Sequence, residues 1–110
     1  MKIRLYPTSN RLIKHRLFRG ASRCPCMWCG RKLNYAQATI EHVTPKAFGG
    51  LNSMDNLGIA CYICNQKRGQ YTASARDGKF SFDYAEAEFL KWVAAKVRKA
   101  RRGQRHAPKP

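Results

Sequence analysis

The chain has 110 residues and carries 22 Lys plus Arg against 6 Asp plus Glu, a formal net charge of +16. That length suits one domain with a small core, and a hydrophobic fraction of 44% argues against a wholly disordered chain. No run of about eighteen apolar residues exists, which excludes a membrane-spanning helix, and the unbalanced cations point to a polyanionic partner, with nucleic acid preferred over a membrane surface.

Residues 1–23 hold seven Lys or Arg and no acid. They read as a basic arm that lies on phosphates or stays solvated. Weak helical periodicity at Leu12, Ile13, Leu17 and Phe18 allows a short helix within it. Arg4, Arg11, Lys14 and Arg16 interrupt every stretch that could act as a secretory h-region, so an intracellular, cytoplasmic setting is expected. In a reducing compartment, clustered cysteines are metal ligands more often than disulfides.

All five cysteines fall between Cys24 and Cys64. Cys26-x2-Cys29 and Cys61-x2-Cys64 form two pairs, each able to grip one side of a tetrahedral zinc because a two-residue gap puts both sulfurs on one tight turn. Gly30 suits such a turn, where a positive φ is often required. Cys24 offers a competing first ligand, since a four-residue gap to Cys29 is also used by zinc sites; the tighter Cys26 arrangement is preferred. Four thiolates close the coordination sphere, so one structural Zn²⁺ is expected. Two disulfides or buried free thiols are the alternatives.

Between the cysteine pairs, Thr39 to Val43 reads as a short strand ended by Thr44-Pro45. Gly49-Gly50 marks a turn, Asp55-Asn56-Leu57 follows, and Gly58-Ile59-Ala60 is a short apolar run. A helix is expected from Cys61 to Arg68, stopped by Gly69. A second helix is expected over residues 83–102, with Asp83 as N-cap and Glu86 completing a capping box. Phe89, Trp92, Val93 and Val97 would form its apolar face. Lys96, Arg98, Lys99, Arg101 and Arg102 gather near its C-terminal end, where the helix dipole favours cations. Residues 103–110 read as a disordered tail.

The order and spacing of Cys26-x2-Cys29-Gly30, Ile40-Glu41-His42-Val43-x-Pro45, Gly49-Gly50, Asn56-Leu57 and Cys61-x2-Cys64-Asn65-x2-Arg68-Gly69 resemble the HNH endonuclease family. The resemblance covers Cys26 to Gly69. It implies an α+β fold with a ββα-metal core over 24–69, stapled by the four-cysteine zinc, inside a single nuclease domain of residues 1–110. It also implies site roles. His42 would be the general base, and Asn56 would hold the loop that orients it. Glu41 and Asn65 would be ligands of one catalytic divalent cation. Glu41 stands where relatives often have Asp, and Asn65 where many have His.

Elementary chemistry fits these roles. A positioned general base supplies only about 10²- to 10⁴-fold, so phosphodiester hydrolysis also needs a cation to stabilise transition-state charge. Glu41 and the Asn65 carbonyl are hard oxygen ligands suited to Mg²⁺ or Mn²⁺, and an unperturbed imidazole accepts a proton near neutral pH. Products with 5′-phosphate and 3′-hydroxyl ends are expected. Neighbouring strand residues point to opposite faces, so Glu41 and His42 can share a site only if the strand bends there. Lys67 and Arg68 follow Asn65 on the same expected helix and would hold phosphate near the metal. Lys46 lies in the loop after His42, and Arg31 and Lys32 follow the zinc turn; all three are expected to contact nucleic acid. The expected partner is double-stranded DNA. Family resemblance further implies a bacteriophage setting, with some relatives assisting the terminase in genome packaging. The competing reading is a zinc-stapled nucleic-acid-binding protein without catalysis, which would not require Glu41, His42, Asn56 and Asn65.

Overall fold

The structure, a computed structural model, describes residues 9–105. Lys2, Arg4 and the rest of the first eight residues lie outside the described residues, as do His106, Lys109 and the rest of the last five.

The first helix, α1, is Asn10–Phe18. Ser9 caps it, its hydroxyl accepting from the Leu12 amide at 3.1 Å. Arg19, at φ 55, closes it in the left-handed conformation. Ile13 and Phe18 are buried. The segment expected as a solvated arm is therefore, over these residues, a docked helix. Tyr35 fixes it: its ring sits 5.0 Å from that of Phe18, and its hydroxyl donates to the Arg11 carbonyl at 2.7 Å.

Two short antiparallel strands follow, β1 (Cys24–Pro25) and β2 (Lys32–Leu33). The turn between them carries Cys26 and Cys29. It closes through Gly30 N–H to the Cys26 carbonyl at 2.9 Å and Cys26 N–H to the Arg31 carbonyl at 2.8 Å. Gly30 has φ +81, the left-handed backbone that the sequence anticipates at that position.

The second hairpin pairs β3 (Ala38–His42) with β4 (Leu57–Cys61), antiparallel, in register from Ala38 opposite Cys61 to His42 opposite Leu57. The second helix, α2 (Tyr62–Arg76), leaves β4 directly, which completes a strand–strand–helix unit. Helix α2 runs straight through Gly69, where a stop was expected. A glycine inside a helix costs only about 1 kcal/mol relative to alanine, and burying α2 against the next helix outweighs that.

The third helix, α3, is Phe82–Arg105. Ser81 caps it: its hydroxyl accepts from the Tyr84 amide at 3.1 Å, and its carbonyl from the Ala85 amide at 3.0 Å. The cap thus lies two residues before Asp83, and Glu86 does not close a capping box because its carboxylate is taken by Arg68. Residues 103–105, expected in the tail, are helical.

Phe89 and Val93 of α3 join Ile59, Ala60, Cys64 and Leu33 in one core. Phe89 is fully buried, which is worth about 1.5–3 kcal/mol relative to exposure, and it meets the Trp28 ring edge-on at 5.2 Å. The fold is α+β, as the sequence implies, with three helices and two two-stranded sheets among the described residues. No helix among them is long and apolar enough to cross a membrane.

Candidate active site and cysteine cluster

The β1–β2 turn brings Cys26 and Cys29 against Cys61, the last residue of β4, and Cys64 in the first turn of α2. Their four sulfurs all lie within 4.8 Å of one another. Thiolates around a zinc at about 2.3 Å would stand about 3.8 Å apart, so the residues fit a tetrahedral metal ion. Cys24 is not in the cluster; its thiol faces its neighbour, 3.8 Å from the Pro25 carbonyl. The first ligand position therefore falls to Cys26.

Amides aim at the sulfurs before any metal does. Cys26 Sγ accepts from the Trp28 and Cys29 amides at 3.4 and 3.5 Å, and Cys61 Sγ from the Cys64 amide at 3.4 Å. Burial opposes ionisation of Cys61, but the Cys64 amide and thiol and the Lys96 ammonium pull its pKa down to about 7. Burial and the neighbouring sulfurs push Cys64 up.

Toward the other end of the β3–β4 hairpin, Glu41, His42, Lys46 and Asn65 line one open cleft. Strand β3 supplies Glu41 and His42, the 3-10 turn Lys46–Phe48 supplies Lys46, and α2 supplies Asn65. His42 is the last residue of its strand, where strict alternation ends, and it reaches the cleft together with its neighbour.

Glu41 is only 8% exposed. Its carboxylate accepts from Trp28 Nε1 at 3.0 Å and from the His42 amide at 3.1 Å, and Arg68 Nη1 lies 3.7 Å away. Burial nevertheless keeps its pKa above the usual carboxylate value. A desolvated carboxylate of this kind is receptive to further positive charge.

Asn65 donates through Nδ2 to Thr39 Oγ1 at 2.9 Å and to the Ile40 carbonyl at 3.1 Å. A carbonyl only accepts, so the amide orientation is settled by its partners, which leaves Oδ1 as the free acceptor. His42 Nε2 lies 2.6 Å from Asn52 Oδ1. If that oxygen accepts from Nε2–H, a neutral ring keeps its lone pair on Nδ1.

Asn56 stitches the loop after His42. Its Oδ1 accepts from the Thr44 amide at 2.8 Å, and its Nδ2 donates to the Leu51 and Thr44 carbonyls at 2.8 and 3.1 Å. Its own carbonyl accepts from the Val43 amide at 2.8 Å. Gly50 is needed in the same loop, because a Cβ there would stand 1.7 Å from the Thr44 carbonyl oxygen. Replacing Asn56 with Ala removes three side-chain hydrogen bonds at a net cost of about 2 kcal/mol. Urea titration should show a lower midpoint with an unchanged slope. An unmoved midpoint would mean that the loop does not depend on this side chain.

The expected phosphate contacts divide. Arg68 is not available: it is 2% exposed and makes four hydrogen bonds, two to the Glu86 carboxylate at 2.8 and 3.0 Å and one each to the His42 and Val43 carbonyls at 2.6 Å. Its guanidinium also lies over the Trp28 ring at 4.8 Å. It ties α3 to the end of β3. Lys67 sits about 200° around the helix from Asn65, with its ammonium 5.8 Å from both the Tyr71 and Trp92 rings, and does not line the cleft. Arg31 and Lys32 are exposed but line a separate groove with Cys29, Lys96 and Arg101. Only Lys46 of the five lies at the cleft with its side chain exposed.

Four residues at the site were not singled out from the sequence: Trp28, Asn52, Thr72 and Arg76. Thr72 and Arg76 line the cleft at i+7 and i+11 from Asn65, positions that helical spacing gives once α2 is carried past Gly69. Asn52, an exposed polar residue in a turn, and Trp28, an aromatic between two cysteines, carry no such signal.

Among curated proteins, the CRISPR-associated endonuclease Cas9 of Corynebacterium diphtheriae is similar: it is 34% identical over 47 residues, which make up 42% of this chain and 4% of that protein. The chain thus corresponds to a small part of that relative. A family model described as HNH endonuclease matches residues 26–81. That match, just over half of the chain, starts at the first clustered cysteine and runs past the end of α2. It takes in both sets of residues described above, and it establishes that this chain belongs to the HNH endonuclease family.

Proposed function

We propose that this chain is a metal-dependent endonuclease that hydrolyses phosphodiester bonds in double-stranded DNA. The observation that carries the reading is the convergence of Glu41, His42 and Asn65 on one open cleft, with Lys46 and Arg76 at its walls. Binding alone would not require a buried carboxylate, an oriented imidazole and an amide oxygen in one place.

The buried Glu41 carboxylate and Asn65 Oδ1 form a hard oxygen set suited to one Mg²⁺ or Mn²⁺. When bound there, such an ion supplies Lewis-acid stabilisation of phosphate charge. His42 Nδ1 removes a proton from the attacking water as its oxygen adds to phosphorus. The bond from phosphorus to the 3′ oxygen breaks and that oxygen takes a proton from solvent, leaving a 5′-phosphate and a 3′-hydroxyl. Asn52 holds the imidazole by its other nitrogen, which keeps the lone pair pointed at the water. Lys46 and Arg76 hold neighbouring phosphates, and Asn56 keeps the loop in register. A packaging role beside a phage terminase, in the host-cell cytoplasm, rests on the family resemblance and on no residue of this site.

Supercoiled plasmid incubated with Mg²⁺ or Mn²⁺ should become nicked before it becomes linear, because the described residues form one such cleft, and EDTA should stop the reaction. DNA ligase should reseal the nicks directly, and 5′-hydroxyl ends would overturn the chemistry. The charge of +16 makes the competing outcome visible too. Retarded but uncut plasmid, with zinc still bound, would favour a binding module. In either case, affinity should fall about 10³- to 10⁵-fold between about 50 and 200 mM salt if six to ten phosphates are engaged.

A further inference from the structure

Among the described residues, Lys96 places its ammonium on three of the four clustered sulfurs. Its ammonium lies 3.4 Å from Cys29 Sγ, 3.5 Å from Cys61 Sγ and 3.4 Å from Cys64 Sγ. The described ion pairs engage Arg68, Arg76 and Lys91 but not Lys96. Its delivery is built into α3. Phe89 and Val93 enter the core at i and i+4, and Lys96 follows at i+7 on the same face. The Trp92 ring lies 5.7 Å from its Nζ, within cation–π range of the charged head.

We propose that Lys96 is an outer-sphere partner of the four-cysteine metal site. The three near-equal distances, with no such bond to Cys26, put the ammonium over the tetrahedral face formed by Cys29, Cys61 and Cys64, outside the space that a metal ion takes. Four thiolates around a divalent ion leave the site doubly negative, and that charge sits among buried residues, where it is poorly solvated. The ammonium offsets part of it and donates N–H bonds to three sulfurs, as outer-shell groups do at other metal sites. This site lies apart from the cleft, so the inference stands whether or not the chain cuts DNA.

The test is zinc affinity. The full chain, loaded with one equivalent of zinc, is titrated with a chromogenic chelator. Lys96→Met keeps the length of the stem and removes the charge, and should weaken zinc binding about 10- to 100-fold. Lys96→Arg should stay closer to the parent, because the charge and the donors remain. Lys99→Met removes an equal charge from the same helix and should leave affinity unchanged. Alkylation of the zinc-loaded protein by iodoacetamide should speed up in Lys96→Met and not in Lys99→Met. Undiminished zinc affinity in Lys96→Met would show that the ammonium does not support the site, and an equal loss in Lys99→Met would reduce the effect to net charge. Either result overturns the proposal.

Discussion

Replacing His42 with Ala should lower metal-dependent plasmid cleavage by about 10²- to 10⁴-fold, the share that a positioned proton acceptor contributes, while leaving DNA affinity near the parent value. The separation is expected from where the residue's groups are used. Its carbonyl accepts from Arg68 and its amide donates to Glu41, and both backbone groups survive the substitution. Its ring is not in the core, so no cavity is created. Only the imidazole and its bond to Asn52 are lost. Asn52→Ala keeps the imidazole but frees its orientation, so it should reduce kcat by a smaller factor with little change in KM. Gel shifts on the same preparations check binding, and melting curves check folding. Parent-like cutting by His42→Ala would remove the base assignment.

Removing a metal ion from the four-cysteine cluster should have the larger effect on the fold. Zinc bound by four cysteines contributes about 10–16 kcal/mol in small domains, whereas a whole domain is stable by only about 5–15 kcal/mol. The cluster joins the β1–β2 turn to the junction of β4 and α2, and Cys26, Cys61 and Cys64 are buried, so its loss uncouples the two hairpins and leaves buried thiols without their partner. Chelation should abolish the cooperative melt and most of the helical circular dichroism, and added zinc should restore both. Acid acts in the same direction, because protons compete with the metal for thiolates: zinc retention should fall as pH falls. A metal-free chain that melts like the loaded one would show that the four sulfurs are not a folding element.

The cysteine cluster and the β3–β4–α2 unit were legible because their signals are local and redundant: paired spacings, a glycine at a left-handed turn, alternation before a proline. The extent of the helices was not. Gly69 is a stop by local rules, yet the helix continues because its far side is buried by α3, a partner thirteen or more residues on in the chain. Asp83 is a sound cap by type, but Ser81 precedes it and takes the position. Arg68 reads as a solvent-facing phosphate contact because arginine is exposed by default, yet it is buried. Its burial depends on Glu86 and on two carbonyls at the end of β3, all distant in sequence. The same distance hides Lys96 from Cys29, 67 residues away.

The family match ends at residue 81, one residue before α3 begins. Anyone transplanting this HNH-family module into another protein faces a boundary problem there. A segment cut at residue 81 would carry Arg68 without the Glu86 carboxylate and Trp28 without the Phe89 ring packed on it, and it would leave the cysteine cluster without its ammonium. A transferable segment has to extend through Val97, unless the host supplies an acidic group and an apolar helix face of its own.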